Sequence, residues 1–215
     1  MTAREIVQAI AYGVGDDMFR RRTPTFYLNR ANVALRKVVK DTHALIKTPA
    51  APITTTASRR EYNVVDDWGL TDFLAVHHLR VNGYVVFPAP YGMRSLDLKN
   101  NVENNRVKLY VYLPGPHGVA GSSFAGGYIY LEPIPSDTYS VDLYYVYAPS
   151  PLDYDNNTAL PIGNEYAPMV ETLGTALVFP PGSVRRTEGI REYREFSQDM
   201  LYDRENETEP LDVLK

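Results

Sequence analysis

Leu79-Arg80-Val81-Asn82-Gly83-Tyr84-Val85-Val86-Phe87 is the stretch on which the reading of the fold turns. Two apolar-rich runs flank Asn-Gly, and both residues of such a two-residue turn need positive φ, which Asn and Gly tolerate best. The spacing predicts two antiparallel strands joined at Asn82-Gly83. Outward from that hairpin, alternation with period 2 holds from residue 54 to residue 150. Tyr62 and Val64 alternate with polar neighbours. Val107, Leu109, Val111 and Leu113 share one strand face, with Lys108, Tyr110 and Tyr112 on the other. Tyr128 and Tyr130 alternate with Ile129 and Leu131, and a last strand covers residues 139–147. Five or six short strands with Pro and Gly between them predict a small antiparallel β-sandwich or barrel. Residues 100–105 and 114–127 are turn-rich. The second stretch is long for a hairpin connection, which marks it as a projecting, partner-contacting loop.

On either side the period changes to that of a helix. Thr2-Ala3-Arg4-Glu5 is a capping box, and Ile6, Val7 and Ile10 follow at helical spacing until Gly13 and Gly15. Thr23-Pro24 is a second start, a cap with Pro at the first helical position. From there Tyr27, Ala31, Ala34, Leu35, Val38, Thr42 and Leu45 hold one face, and Arg30, Lys37, Lys40 and Lys47 the other; Pro49 and Pro52 end the pattern. Past Pro161, Tyr166, Val170, Leu173, Leu177 and Val178 form an apolar stripe that stops at Pro180-Pro181-Gly182. Residues 183–201 carry Ile190, Tyr193, Phe196 and Met200 at i+3/i+4 spacing. The order predicts an α+β chain, a terminal helical bundle with an inserted β domain. Its expected parts are N-terminal helices (1–50), the β domain (51–160), C-terminal helices (161–202) and an extended tail (203–215).

Composition narrows the function. The 215 residues carry 22 Lys and Arg against 26 Asp and Glu, a net charge of −4, so there is no basic excess to hold a phosphate backbone. There is no cysteine, which removes thiol catalysis and Cys-ligated metal sites. No apolar run approaches the ~18–20 residues that cross a bilayer. Residues 1–12 lack the pattern of a signal peptide, so no membrane association is expected. Tyrosine is over-represented at 17, and nine of them lie between Tyr110 and Tyr154.

Motifs for chemistry are weak. Adjacent His77 and His78 point to opposite faces of a strand, His43 suits a helix end, and no HExxH accompanies them or His117. Asp153-Tyr154-Asp155-Asn156-Asn157 begins like a calcium loop. Thr158 stands where the turn glycine belongs and Asn164 where the closing Glu belongs, so an Asx-type turn is expected. The glycines from Gly115 to Gly121 lack the Lys-Ser/Thr of a phosphate loop, and Gly13-Val14-Gly15 leads into Asp16-Asp17, which repel phosphate. Asp16/Asp17 and Asp66/Asp67 are adjacent in sequence rather than set across a cleft. The expectation is a protein without catalytic residues, cofactor or metal. Arg20-Arg21-Arg22, Arg59-Arg60 and Arg185-Arg186 read either as solvated faces or as contacts to acidic surfaces of a partner. Of the tyrosines, Tyr139, Tyr145 and Tyr147 share a face with Val141 and Leu143 and are expected in the core. Tyr110, Tyr112, Tyr128 and Tyr130 are expected at subunit contacts, because an amphipathic ring gives contact area with a polar tip.

Tyr128-Ile129-Tyr130-Leu131-Glu132-Pro133-Ile134-Pro135 precedes Val141-Asp142-Leu143-Tyr144-Tyr145-Val146-Tyr147-Ala148-Pro149-Ser150-Pro151-Leu152, an acidic turn, Leu160-Pro161 and a helix near Glu165-Tyr166. This succession resembles the head-to-tail adaptor (connector) proteins of tailed bacteriophages, including the tubular tail protein A type. The resemblance implies a virion protein of the neck that forms a homo-oligomeric ring, commonly of twelve copies. Such a ring sits beneath the portal protein, joins it to the tail or nozzle protein, and lets DNA through its channel without specific binding. Arg20, Arg21, Arg22, Arg185 and Arg186 are then candidate subunit contacts. The tail, apolar at Leu211, Val213 and Leu214, is expected to dock on a neighbour or the portal. Two other functions stay open from the residues alone: a carbohydrate- or receptor-binding β module with tyrosine platforms, and a hydrolase using scattered Asp and Glu.

Overall fold

A computed structural model describes residues 1–89, 106–114 and 127–207. Within them the chain is α+β, as expected, and it separates into two units. One comprises Met1–Ala44 with the chain from Pro149 onward, and the other is Leu45–Ala148. The β unit thus starts and ends earlier than the expected 51–160. The reason is β1 (Ile46–Lys47), which leaves the helical pattern to pair with the end of β9 (Ser140–Tyr147) through Ile46↔Val146 and Lys47↔Tyr145.

The Asn-Gly turn forms as its chemistry requires, with φ of 53° at Asn82 and 76° at Gly83. It joins β4 (Phe73–Val81) to β5 (Tyr84–Val85) with Val81 opposite Tyr84. The second strand of the hairpin is cut short. Val86 is buried and donates its N–H to Leu79 O, and the chain then crosses into another sheet as β6 (Phe87–Pro88). One sheet therefore has the order β1-β9-β4-β5, with β2 (Ile53–Thr54) also on β9. The other runs β3 (Glu61–Asn63), β8 (Gly127–Glu132), β7 (Leu109–Pro114) and β6. The β6–β7 pair is parallel, so this sheet is mixed rather than wholly antiparallel.

Both sheets contribute to one apolar core. Tyr62, Ile129 and Leu131 meet Phe73, Leu79, Leu143 and Tyr145, each side chain of this size contributing roughly 1.5–3 kcal/mol on burial. Tyr145 is buried, and Tyr139 and Tyr147 pack on the cluster, as the strand pattern of β9 predicts.

In the helical unit, α1 (Ala3–Gly13) opens with its capping box, the Thr2 N–H donating to Glu5 Oε2 at 2.8 Å. The α2 helix (Pro24–Thr42) starts on Thr23, whose hydroxyl oxygen accepts from Phe26 N, and buries Tyr27, Ala31, Ala34, Leu35 and Val38. It stops at Thr42 because His43 turns left-handed, so Leu45 and Lys47 lie outside the helix that patterning extended over them. A 3-10 turn (Asn164–Tyr166) leads into α3 (Ala167–Val178), and α4 spans Val184–Glu207. Residues 203–207, expected as extended tail, continue α4; Arg204 and Glu205 are good helix formers and no Pro intervenes before Pro210.

Side chains of α3 meet α1, α2 and α4, and close approach is possible because its contact residues are small. Gly174 faces Ile10 of α1 and Ala34 of α2, and Ala176 faces Gly189 of α4. The buried stripe is Met169, Val170, Leu173 and Ala176, with Leu177 and Val178 half-buried at its border.

Candidate functional site

The arginine loop between α1 and α2 is organised from below by one carboxylate. Asp16 is only 4% exposed. It accepts from the Tyr27 hydroxyl at 2.7 Å, from Arg21 N at 2.9 Å and from Arg22 N at 2.9 Å. Burial alone would raise its pKa, but these bonds, with one from the Arg20 backbone, hold the carboxyl below its usual value. The same pair pushes Tyr27 up to about 12, through burial first and then the bond to Asp16 and its negative charge.

Further bonds fix the turn to α1: Gly15 N donates to Tyr12 O, Asp16 N to Ala11 O, and the Gln8 side chain to Asp17 O. The backbone of the loop is thereby set while Arg20, Arg21 and Arg22 all present exposed side chains. Arg22 also lies over the Phe26 ring at 5.1 Å. Asp16 and Asp17 are not an acid–base pair, since one is buried under the loop and the other is exposed.

Arg185 and Arg186 serve the turn between α3 and α4. Arg186 donates from Nη1 to Phe179 O at 3.1 Å, and its N–H points to Ser183 Oγ at 3.3 Å. Arg185 lies over the Phe179 ring at 5.5 Å. A cation on the last carbonyls of α3 is favoured by the partial negative charge of a helix end.

The tyrosines of β7 and β8 divide between two faces, and half of them are not where alternation placed them. Residues directly opposite each other in a ladder share a face. Tyr110 is opposite Leu131 and Tyr112 opposite Ile129, so both tyrosines face the core. Tyr112 meets Phe73 edge-on at 5.2 Å, and burial raises the Tyr110 pKa. Leu109, Val111 and Leu113 take the other face, beside Glu132, Tyr130 and Tyr128. Tyr110 and Tyr112, expected at subunit contacts, thus stand half-buried on the core side of β7 and not on the face of Tyr128 and Tyr130. Both faces of β7 are apolar, and an aromatic cluster of Phe73, Tyr112 and Tyr145 claims the ring-bearing one. Tyr128 and Tyr130 remain on the face away from the core. There Arg60 pairs with Glu132 at 2.5 Å and lies 5.8 Å from the Tyr130 ring centre.

Asp153 does form an Asx-type turn. It accepts from Asp155 N, Asn156 N and Asn156 Nδ2, which hold its carboxyl below the usual range. Arg4 then takes the Tyr154 and Asp155 carbonyls at 3.0 Å each. Of the other acidic neighbours, Asp67 binds Asn63 N and Arg59. No group of three or more metal-binding side chains occurs among the described residues. No helix among them is long and apolar enough to cross a membrane. Leu211, Val213, Leu214, His117 and the expected projecting loop fall outside the described residues, apart from the ends of that loop at Pro114 and Gly127.

A helical unit interrupted by a two-sheet β unit, with an exposed arginine loop whose backbone is fixed by a buried carboxylate, defines an α+β protein. Residues 1–178 match the family described as SU10 adaptor protein, and the chain belongs to that family. It is a structural adaptor of a bacteriophage and a component of the virion, in agreement with the resemblance carried by residues 126–179. No curated protein matches the chain.

Proposed function

We propose that the chain assembles into a ring, of about twelve copies by the family resemblance, that joins the portal to the tail or nozzle and surrounds the path of the DNA. Membership of the SU10 adaptor protein family, over residues 1–178, is the observation that carries this reading. A net charge of −4 supports it, since a channel wall must let a polyanion slide rather than hold it. The role needs binding and no bond-breaking, so the protein acts without a catalytic group or cofactor. Arg20, Arg21 and Arg22, with Tyr128 and Tyr130, are the side chains proposed for contacts between copies or with the portal.

Electron microscopy of the purified protein, with and without its cognate portal, tests the proposal. The expected images show closed rings, or rings seated on the portal. A monodisperse monomer that ignores the portal overturns it.

A further inference from the structure

The arginine loop is braced on its inner side and open on its outer side. Tyr12 and Met18 flank it, 75% and 66% exposed. A depression of about 370 Å³ is lined by Gly15, Asp16, Asp17, Met18, Arg20 and Arg21. Three guanidinium groups next to exposed apolar side chains call for a ligand that combines carboxylates with aliphatic groups. The chain carries such a stretch at Glu205-Asn206-Glu207-Thr208-Glu209-Pro210-Leu211-Asp212-Val213-Leu214, with acidic and aliphatic side chains and no cation.

That stretch cannot reach the loop of its own copy. Gly189 of α4 lies against Ala176, and Arg185 against Phe179, so α4 runs antiparallel to α3. On the α2 side, Ala34 lies against Gly174, and Tyr193 of α4 meets Asp41 and Lys37, so α2 and α4 run in the same sense and cross near their Tyr193–Asp41 contact. From Asp41 back to Pro24 is about 25 Å of helix, and from Tyr193 onward to Glu207 about 21 Å the opposite way, at roughly 1.5 Å per residue. Even if the two helices cross at a right angle, the start of α2 and Glu207 are therefore about 33 Å apart or more. Residues 208–215, fully extended, span at most about 28 Å.

We infer that the acidic, apolar segment after Glu207 of one copy docks on the Arg20-Arg21-Arg22 loop of a neighbouring copy. The inference rests on the ring reading above and names one of its contacts. Such a contact is head-to-tail, using two different surfaces of each copy, which is the kind that closes into rings. Guanidinium–carboxylate pairs at the loop give it register, and Leu211, Val213 and Leu214 against Met18 and Tyr12 bury apolar surface.

Two charge reversals of the full chain test it. One variant is Arg20→Glu/Arg21→Glu/Arg22→Glu, which leaves the Asp16 anchor in place because that anchor holds backbone N–H groups. The other is Glu207→Lys/Glu209→Lys/Asp212→Lys. Self-association is followed by sedimentation and native mass spectrometry, alone and with the portal. Each variant by itself is expected to associate at least tenfold more weakly than the wild type, and an equimolar mixture to recover assembly, since each supplies what the other lacks. If both variants form rings as the wild type does, or the mixture fails to recover, the docking is overturned and the ring stands. Variants that ring normally but lose the portal reassign the segment to the portal and overturn the inference. A wild type that never assembles, alone or with the portal, removes ring and docking together.

Discussion

The Tyr193 hydroxyl of α4 donates to Asp41 Oδ2 of α2 at 2.6 Å, and Lys37 pairs with the same carboxylate oxygen at 2.7 Å. Burial first, and then the bond to Asp41, push the Tyr193 hydroxyl far above its ordinary pKa. Removing only that hydroxyl, by Tyr193→Phe, should cost about 1–3 kcal/mol because Asp41 loses a donor in a part-buried place. Tyr193→Ala should cost more, about 3–5 kcal/mol, since the ring leaves a cavity. Urea titrations of both variants check the order.

Gly174 is a point of backbone approach. A Cβ there would stand 2.4 Å from Ile10 Cδ1, and Ile10 is fully buried, so its side chain has to shift within the packed core. Gly174→Val is expected to lose about 1–3 kcal/mol through overpacking. Pairing it with Ile10→Val should recover part of that loss in a double-mutant cycle, whereas additive losses would mean that the two sites are independent.

The two faces of β7 make opposite predictions. Tyr112 packs toward Phe73, so Tyr112→Ala should destabilise by about 2 kcal/mol or more. Val111 sits on the face away from the core, and Val111→Thr should cost less than about 1 kcal/mol. Thermal unfolding of the two variants distinguishes the arrangement from its inverse.

The Asp16–Tyr27 couple should bound the stable pH range at both ends. Asp16 is depressed, so its contribution is fully present above its unfolded value of 3.8 and is lost as pH falls through the lower folded value. Tyr27 is raised to about 12, so its contribution is fully present below its unfolded value of 10.0 and is lost as pH rises through the folded one. Asp16→Asn should flatten the acid limb of a stability-versus-pH curve and Tyr27→Phe the alkaline limb. Unchanged limbs would show that other groups set them.

Local chemistry made some of this legible. Asn82-Gly83, Thr23-Pro24 and Thr2-Ala3-Arg4-Glu5 each meet a need of the backbone within a few residues, and each forms its turn or cap as read. What sequence pattern missed was decided at long range. Lys47 continues a helical face in sequence, yet pairing with Tyr145 and the bond to Asp72 draw it into a sheet. Alternation in Leu109-Tyr110-Val111-Tyr112-Leu113 identifies two faces but not which one is inside when both are apolar. At the candidate site, the three exposed arginines are readable as a cluster. Their brace is not: in sequence Asp16 is one of two adjacent acidic residues, and only the return of Tyr27 on α2 turns it into a buried acceptor.

The β unit leaves and rejoins the chain at one place. Ile46 is paired with Val146, and Tyr147 N donates to Leu45 O at 3.2 Å, so the incoming and outgoing strands run side by side. A pull transmitted along the chain from α2 to α3 would pass across this short ladder instead of through the length of the β unit. The β unit is thus shunted out of the load path. Its loops can lengthen, shorten or change partners over evolution while the span between the two helical segments stays that of a single strand pair.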